Sequence, residues 1–258
     1  NRPATVEAAK RLIETLRSLQ QRLEDERLAR EVELFKFDQN SVQQLFQDMV
    51  NTDKPDELKA MFQKLELLMT NDEVVKMLAK NGGLHSMSQL MLAHVNHEDT
   101  FKSASNIFLR MCCKHQDEEI NAILQHPLLL RAHAEILKPH PSFATPMPED
   151  QVVQTAVGLG QIKYTPEGFQ ALFESGGLAQ LSKIMATNSN PDALREAARV
   201  LGKATANKLI NDNLVSNIQG GLNGFATIRE LIDALRKHMN NFEFVRFGIY
   251  ILGNLAVT

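Results

Sequence analysis

Apolar residues recur along this chain at intervals of three and four residues, which is the period of an α-helix with one buried face. The segment 192–205 is typical, and four of its apolar residues fall on one helical stripe: Leu194, Ala197, Ala198 and Leu201. Strict alternation of apolar and polar residues, the pattern of a half-buried strand, is almost absent. The sequence therefore predicts an all-α protein.

Proline and pairs of glycines divide the predicted helices. Thr165-Pro166 and Asn190-Pro191 are typical helix starts, because the first residue can cap the helix and proline fits its first turn. Three glycine pairs are typical helix ends: Gly82-Gly83, Gly176-Gly177 and Gly220-Gly221. The helices delimited in this way come in sets of three, short, medium and long, and one such set comprises 165–177, 178–190 and 191–206.

The longest helix of each set carries a related tetrapeptide, in which a small residue precedes a polar one. It reads LGQI at 159–162, LGKA at 201–204 and LGNL at 252–255, with a looser relative, ASNI, at 104–107. The polar members are spaced by 55, 42 and 51 residues: Asn106, Gln161, Lys203 and Asn254. The first spacing contains a proline-rich insertion at about 138–148, and the last contains a longer second helix. A repeat of about 40 to 47 residues with two or three helices is typical of a solenoid.

This pattern resembles the armadillo repeat. ILGNLA at 251–256 is similar to the A-L-x-N-L-A of that family's third helix. ESGGLAQL at 174–181 and KNGGLHSM at 80–87 are similar to the glycine pair between its first and second helices. The resemblance covers about residues 55–258 and departs from the family at His126-Pro127, where a glycine pair is expected. It implies a right-handed superhelical solenoid of three-helix repeats, continuous over residues 55–258.

Residues 1–54 are predicted to precede the repeats as N-terminal capping helices. Residues 3–37 have the pattern of one long charged helix, and its leucines keep a four-three-four spacing: Leu12, Leu16, Leu19 and Leu23. The stretch 41–49 has the pattern of a second, shorter helix. A solenoid needs its terminal apolar faces covered. We therefore interpret both as caps, with self-association of the long helix as the alternative.

The last predicted helix also has an apolar face that must be covered. Its apolar face includes Ile249, Leu252 and Leu255. We expect this face to be covered by a following segment or by a second molecule.

The resemblance also implies that the third helices line a concave groove, where the polar residue of each tetrapeptide would hydrogen-bond the backbone of an extended peptide. The glycines before it, Gly160, Gly202 and Gly253, would allow neighbouring helices to come close. Residues one or two turns away share this face and are mostly basic. The predicted groove residues are therefore Lys102, Asn106, Arg110, Gln161, Arg195, Arg199, Lys203, Arg246, Tyr250 and Asn254.

Two plainer interpretations of these residues stay open. The polar residues could fill turns between stacked helices, and the basic ones could be ordinary solvated side chains. Arg195 and Arg199 could also pair with Asp192 or Glu196 on their own helix.

Charge and composition narrow the class of partner. The chain has no tryptophan, the residue with which the family's importin branch clamps lysines, so a nuclear-import receptor is not expected. Basic groove residues would attract an acidic or phosphorylated segment. The net charge of −3 offers no global basic field for nucleic acid. We predict a non-enzymatic module that binds an extended, acidic or phosphorylated segment of a partner protein in its groove.

Two other functions are kept as alternatives. The chain could belong to a scaffold or tethering protein, associated with the cytoskeleton or an organelle, that works through its N-terminal helix or its proline-rich loop. It could also be a regulatory domain of a larger protein.

Motifs for catalysis or cofactors are missing from the sequence. It contains no glycine-rich phosphate loop, no H-E-x-x-H, no G-x-S-x-G and no paired C-x-x-C. We interpret His94 and His97 as polar residues of a helix connection and not as metal ligands. Cys112 and Cys113 are adjacent and are interpreted as packing residues, so no disulfide framework is expected. We expect no enzyme activity, no cofactor and no metal.

The compartment is predicted from the same composition. No apolar run approaches the roughly 18 residues of a membrane-spanning helix, and no signal peptide is visible. Only two cysteines are present, which favours a reducing compartment. We expect a cytoplasmic protein, with membrane tethering only through an N-terminal segment that this sequence does not include.

Overall fold

A computed structural model describes residues 10–11, 14–15, 17–23, 26, 39–52, 54–70, 72–114 and 118–256. The regular structure of these residues is almost entirely α-helix, with one π-helical turn, one 3-10 turn and no strand. The predicted all-α class is therefore confirmed. Most of the predicted N-terminal helix at 3–37 lies outside the described residues.

The described residues divide into two compact units, one up to Val74 and one from Val75. In the first unit, α1 (Gln39–Asn51) and α2 (Pro55–Leu68) pack on each other. The predicted short helix at 41–49 lies within α1. A capping role for α1 and a solenoid that is continuous from residue 55 stay predictions.

The second unit is built from sets of three helices, and the third helix is the longest in each set. α3 spans the boundary between the units and continues through a π-helical turn, Ala79–Gly83. The four sets are α3 (Asp72–Leu78), α4 (Leu84–Ala93) and α5 (Glu98–Lys114); α6 (Glu118–Leu124), α7 (Pro127–Leu137) and α8 (Glu149–Gln161); α9 (Pro166–Glu174), α10 (Gly177–Thr187) and α11 (Pro191–Thr205); and α12 (Lys208–Gly220), α13 (Ile228–Lys237) and α14 (Phe242–Ala256).

Helices at equivalent positions of successive sets pack against each other. The third helices α5, α8, α11 and α14 form one row, and the second helices α4, α7, α10 and α13 form another. The predicted stripe of α11 lies in the core of this stack, since Leu194, Ala197 and Leu201 are fully buried. The second unit is thus an all-α solenoid of armadillo-like three-helix repeats. The hand of its superhelix stays a prediction.

The helix boundaries follow the capping chemistry that the sequence predicts. Oδ1 of Asn190 accepts hydrogen bonds from the backbone amides of Asp192 (3.0 Å) and Ala193 (3.2 Å) at the start of α11. Gly176 has a φ of 81°, the left-handed conformation that glycine adopts readily, and it ends α9. Before α7, where the glycine pair is missing, Nδ1 of His126 accepts a hydrogen bond from the amide of Leu128 at 3.2 Å.

Candidate functional site

The row of third helices brings the glycine-containing tetrapeptides of neighbouring repeats together. A side chain at Gly160 on α8 would clash with the carboxylate of Glu196 on α11. A Cβ atom at Gly202 on α11 would lie 3.3 Å from Cδ1 of Tyr250 on α14. The close helix contact predicted at Gly160 and Gly202 is therefore confirmed. At Gly253, on the last described helix, no atom of another described helix lies within 4 Å of the Cβ position, and the predicted close contact there stays a prediction.

In the first repeat, the polar residue that the sequence predicts for the third helix, α5, lies one turn away from the position that the other third helices use. Three of these helices place the polar residue of their tetrapeptide at the same distance from the helix start: Gln161 on α8, Lys203 on α11 and Asn254 on α14. On α5 the equivalent position is Arg110, and Asn106 lies one turn before it. With this alignment the spacing from Arg110 to Gln161 is 51 residues, equal to that from Lys203 to Asn254.

The residues at this position differ in exposure. Gln161 and Lys203 are exposed, whereas Arg110 and Asn254 are half-buried. Nδ2 of Asn254 donates a hydrogen bond of 3.0 Å to Oγ1 of Thr205 on the neighbouring helix α11. Asn254 therefore joins two third helices, while Gln161 and Lys203 present their side chains to solvent.

The predicted basic residues of α11 form ion pairs on their own helix. Nη1 of Arg195 lies 3.0 Å from the carboxylate of Asp192, and Nε of Arg195 lies 3.2 Å from that of Glu196. Nε of Arg199 donates a second hydrogen bond to Glu196 at 2.7 Å. The alternative of pairing within the helix is confirmed for both arginines, and the carboxylate of Glu196 fixes the direction of both guanidinium groups.

Lys203 adds a further positive charge to this cluster. Although Lys203 is an exposed residue, partial burial of its side chain lowers its pKa. The nearby charge of Arg199 lowers this pKa further, while Glu196 acts in the opposite direction. Helix α11 carries three basic residues (Arg195, Arg199 and Lys203) and two acidic ones (Asp192 and Glu196). It therefore keeps one net positive charge.

Two of the predicted residues of α14, Arg246 and Tyr250, lie at the surface. Arg246 pairs with Glu243 at 2.9 Å, and its guanidinium carbon lies 4.8 Å from the centre of the Phe247 ring. Tyr250 is 50% exposed. Three residues of α14 form the apolar face that we expected another segment or molecule to cover. Of these, Ile249 is exposed, Leu252 is half-buried and Leu255 is buried within the chain itself.

On α5, the predicted groove residue Lys102 contacts the proline-rich loop, residues 138–148. Nζ of Lys102 donates hydrogen bonds to the carbonyl oxygen (3.0 Å) and to Oγ1 (2.6 Å) of Thr145. It also pairs with Glu98 at 2.6 Å. The Glu98 carboxylate in turn accepts hydrogen bonds from the backbone amides of Ala144 (2.5 Å) and Thr145 (3.2 Å). The hydrogen bonds from Lys102, Thr145 and Ala144 lower the pKa of Glu98 to about 2.

An aromatic side chain anchors the same loop. Phe143 is buried, and its ring stacks on that of His140 with a centroid distance of 4.4 Å. Both rings pack against Phe101 of α5, at 5.9 Å from Phe143 and 5.0 Å from His140. The loop is therefore a folded part of its repeat, and Lys102 is engaged with it.

Other groups that the sequence singles out make few contacts of chemical interest. The rings of His94 and His97 are 5.7 Å apart, and no three potential metal ligands come together within the part of the chain that the structure describes. Cys112 is buried and Cys113 is half-buried, and both are free thiols. Burial raises the pKa of Cys113 to about 11. Among the described helices, none is long and apolar enough to cross a membrane.

The carboxylates that organise this surface were not among the predicted site residues. Glu98 orients Lys102 and the proline-rich loop, and Glu196 orients Arg195 and Arg199. The signal that could have identified them is local, because acidic and basic residues three or four positions apart face each other on a helix.

Comparisons with known proteins were made for sequence and for structure. No protein-family model matches the sequence, and no curated protein matches it. Among solved structures, a designed armadillo repeat protein matches with 18% identity and a TM-score of 0.47, over 82% of this chain and 98% of the designed one. Two engineered proteins from a structural-genomics consortium match with 16% identity each. Their TM-scores are 0.48 and 0.47, over 91% and 84% of this chain and 92% and 96% of theirs. None of these likenesses bears on the residues of the candidate site.

Proposed function

We propose that this protein is a non-enzymatic interaction module that binds an extended, acidic or phosphorylated segment of a partner protein along its row of third helices. Gln161 and Lys203 support this proposal, because they are exposed at equivalent positions of neighbouring repeats. Packed helices lie about 8 to 10 Å apart, and an extended chain rises about 3.3 Å per residue. A segment crossing the row would therefore meet a new helix about every three residues.

The electrostatics around Lys203 carry the preference for acidic segments. Its pKa is lowered by burial and by Arg199, so the charged ammonium group lacks part of its usual solvation and lies close to a like charge. A carboxylate or phosphate between Lys203 and Arg199 would relieve both effects. Arg199 is already held in place by Glu196. Binding an anionic group would therefore cost little additional side-chain conformational entropy at Arg199.

The contacts of the proline-rich loop favour this function over a scaffold that works through that loop. A free loop would offer its prolines to a partner, but this one is held by Glu98, Lys102 and the buried Phe143. The row of third helices is therefore the better-supported surface. A cytoplasmic location remains part of the proposal.

Peptide pools test the proposal directly. Acidic, phosphorylated, neutral and basic extended peptides are presented to the 258-residue chain at low and high salt. Acidic and phosphorylated pools should be retained, and retention should weaken as salt rises, because exposed charges are screened over about 10 Å at 0.1 M ionic strength.

Matched variants locate the binding. Lys203→Ala should reduce retention of the acidic pools, whereas Arg131→Ala, which removes an exposed charge from the second-helix row, should not. Equal retention of acidic and basic pools would contradict the preference for acidic segments. An equal effect of both variants would contradict the assignment to the third helices.

A further inference from the structure

The row of third helices repeats one contact from step to step. In each step, the glycine of one tetrapeptide lies against two side chains of the next third helix. These side chains lie seven and four positions before the polar residue of their own tetrapeptide: Glu196 and Arg199 against Gly160, and Phe247 and Tyr250 against Gly202. The contact therefore depends on the place of each residue in the repeat and not on its chemistry, since the first pair is charged and the second is aromatic.

The face that contains this glycine is buried on both α8 and α11. Ala156 lies one turn before Gly160, and Ala198 lies one turn before Gly202, so each alanine shares the face of its glycine. Both alanines are fully buried, and both glycines are buried as well. Each face packs on the next third helix, which is α11 in one case and α14 in the other.

On α14 the equivalent face is open within the part of the chain that the structure describes. Ile249 takes the place of Ala198, and its side chain is 63% exposed. Gly253 takes the place of Gly202, and no atom of another described helix lies within 4 Å of its Cβ position. Ala256, one turn later on the same face, is exposed too. The face that the next helix covers at two preceding steps is therefore free at this one.

We infer that this face of α14 is a docking site for one amphipathic α-helix of a partner protein, which extends the row of third helices by one place. The occupant is a helix because a helix makes the same contact, in the same register, at the two preceding steps. Gly253 would then receive two side chains of the partner helix, as Gly202 receives those of α14. The ligand needs no acidic residue, so this site is separate from the preference proposed for Lys203.

The exposed Ile249 determines the chemistry of the partner helix. Covering apolar surface with apolar side chains is favourable by about 25 cal/mol per Å², whereas a charged pair such as that of α11 would lose solvation over an isoleucine. The partner helix therefore carries aromatic or branched apolar residues at positions i, i+3 and i+4. The model for this pattern is α14 itself, with Phe247, Tyr250 and Ile251. A second copy of the chain does not offer these three residues, because they already pack on its own α11.

The test uses a synthetic peptide of the length of α14, 15 residues. It keeps the side chains of Phe247, Tyr250 and Ile251 at their positions and has alanine, glutamate and lysine elsewhere. The peptide is titrated into the isotope-labelled 258-residue chain and followed by NMR, and the backbone amides of Ile249 and Gly253 should shift. The same peptide with alanine at its three apolar positions should bind at least about tenfold more weakly, as for loss of central anchors.

Variants of the chain separate this face from other exposed apolar residues. Ile249→Lys should weaken binding at least about tenfold, because it places a charge where the partner helix would bury it. Ile249→Leu should keep most of the affinity. Met239→Lys is the matched control, since it also replaces an exposed apolar side chain by lysine, but in the connection before α14. Circular dichroism shows that each variant is folded.

Several results would overturn the proposal. They are absence of binding at millimolar peptide, amide shifts confined to helices other than α14, and equal affinities of the Ile249→Lys and Met239→Lys variants. Light scattering tests for a second copy as the occupant. Dimerisation of the chain that Ile249→Lys abolishes would assign the face to a second copy and would also overturn the proposal.

Discussion

Asn254 on α14 and Thr205 on α11 are joined by a side-chain hydrogen bond of 3.0 Å, in which the amide of Asn254 donates to the Thr205 hydroxyl. The hydroxyl of Thr205 donates in turn to the carbonyl oxygen of Gly202 at 3.0 Å, which turns a lone pair toward Asn254. A polar residue of the tetrapeptide can therefore connect repeats as well as face a ligand. Its equivalent Lys203 is exposed.

The first prediction compares Asn254 with Lys203. Asn254→Ala should lower the free energy of unfolding by about 1 kcal/mol, because it removes a half-buried hydrogen bond between helices. Lys203→Ala should change it by less than about 0.5 kcal/mol, as for an ordinary surface site. Urea denaturation measures both. Leu201→Ala is the packing control, since Leu201 is fully buried and its truncation should cost about 2 to 5 kcal/mol.

The outcome for peptide binding completes that comparison. If both residues contact the bound segment, each alanine variant should weaken binding by about 1 to 2 kcal/mol. A destabilised Asn254→Ala protein with unchanged affinity would show that Asn254 only connects the helices.

The second prediction concerns two glycines at equivalent positions of the tetrapeptide. Gly160→Ala should destabilise the fold by about 1 to 3 kcal/mol, because the new methyl group meets the carboxylate of Glu196, which is itself fixed between two arginines. Gly253→Ala should stabilise it by about 0.5 to 1 kcal/mol, since alanine is the better helix former and no described residue obstructs the methyl group. Thermal unfolding of the two variants checks the opposite signs, and a loss of stability in both would contradict the explanation.

The third prediction concerns the proline-rich loop. Glu98→Gln should speed hydrogen exchange at the backbone amides of Ala144 and Thr145, because it weakens the acceptor to which both amides donate. Glu149→Gln, an exposed acid at the start of α8, is the matched control. Exchange rates measured by NMR at neutral pH should differ between these two variants at both loop amides.

Acid should loosen the loop in the same way. The pKa of Glu98 is lowered from its ordinary value of 4.5 to about 2, so the stabilisation it provides is fully present above pH 4.5. It is lost as the pH falls toward 2. If the loop amides already lose their protection from hydrogen exchange between pH 6 and pH 5, Glu98 is not the group that holds them.

The fourth prediction concerns His133, a fully buried histidine on α7. Its Nδ1 bonds the carbonyl oxygen of Leu129 at 2.9 Å, and its ring lies 4.7 Å from that of Phe108. Its Nε2 has no hydrogen-bond partner among the described residues. Burial lowers the pKa of His133 from 6.5 to about 4, so the folded protein binds this proton less readily than the unfolded chain.

The sign of the pH dependence follows from that difference. The stabilisation from neutral His133 is fully present above pH 6.5 and is lost as the pH falls toward 4. Between pH 7 and pH 5 the native protein should lose about 2 kcal/mol of stability relative to His133→Leu, in which this group cannot titrate. Urea denaturation of both proteins at the two pH values measures this difference, and parallel pH profiles would exclude His133 as its source.

Much of the fold follows from local chemistry that can be read along the chain. The helical period places Leu194, Ala197 and Leu201 on one face, and all three are buried. Asn190 and Gly176 act at helix ends as predicted, because capping depends on residues only a few positions apart. The length of the repeat then follows from the spacing of these boundaries.

The details of the site depend on neighbours that are distant in sequence. Lys102 was predicted as a groove residue, and the structure shows it bonded to Thr145, 43 positions away. Asn106 has the right local pattern for the tetrapeptide, but Arg110 lies at the equivalent distance from the start of its helix.

The sequence by itself determined the helices, their grouping in threes and the residues of the core, since these depend on periodicity and on capping within a few residues. Only the tertiary structure decided which polar side chains are exposed, which are paired and which are covered by a loop. Lys203 is exposed and Asn254 is bonded to Thr205, although both occupy the same place in the repeat. The physical reason is that exposure and charge pairing depend on what the next helix or loop places against a residue, and a local pattern does not contain that neighbour.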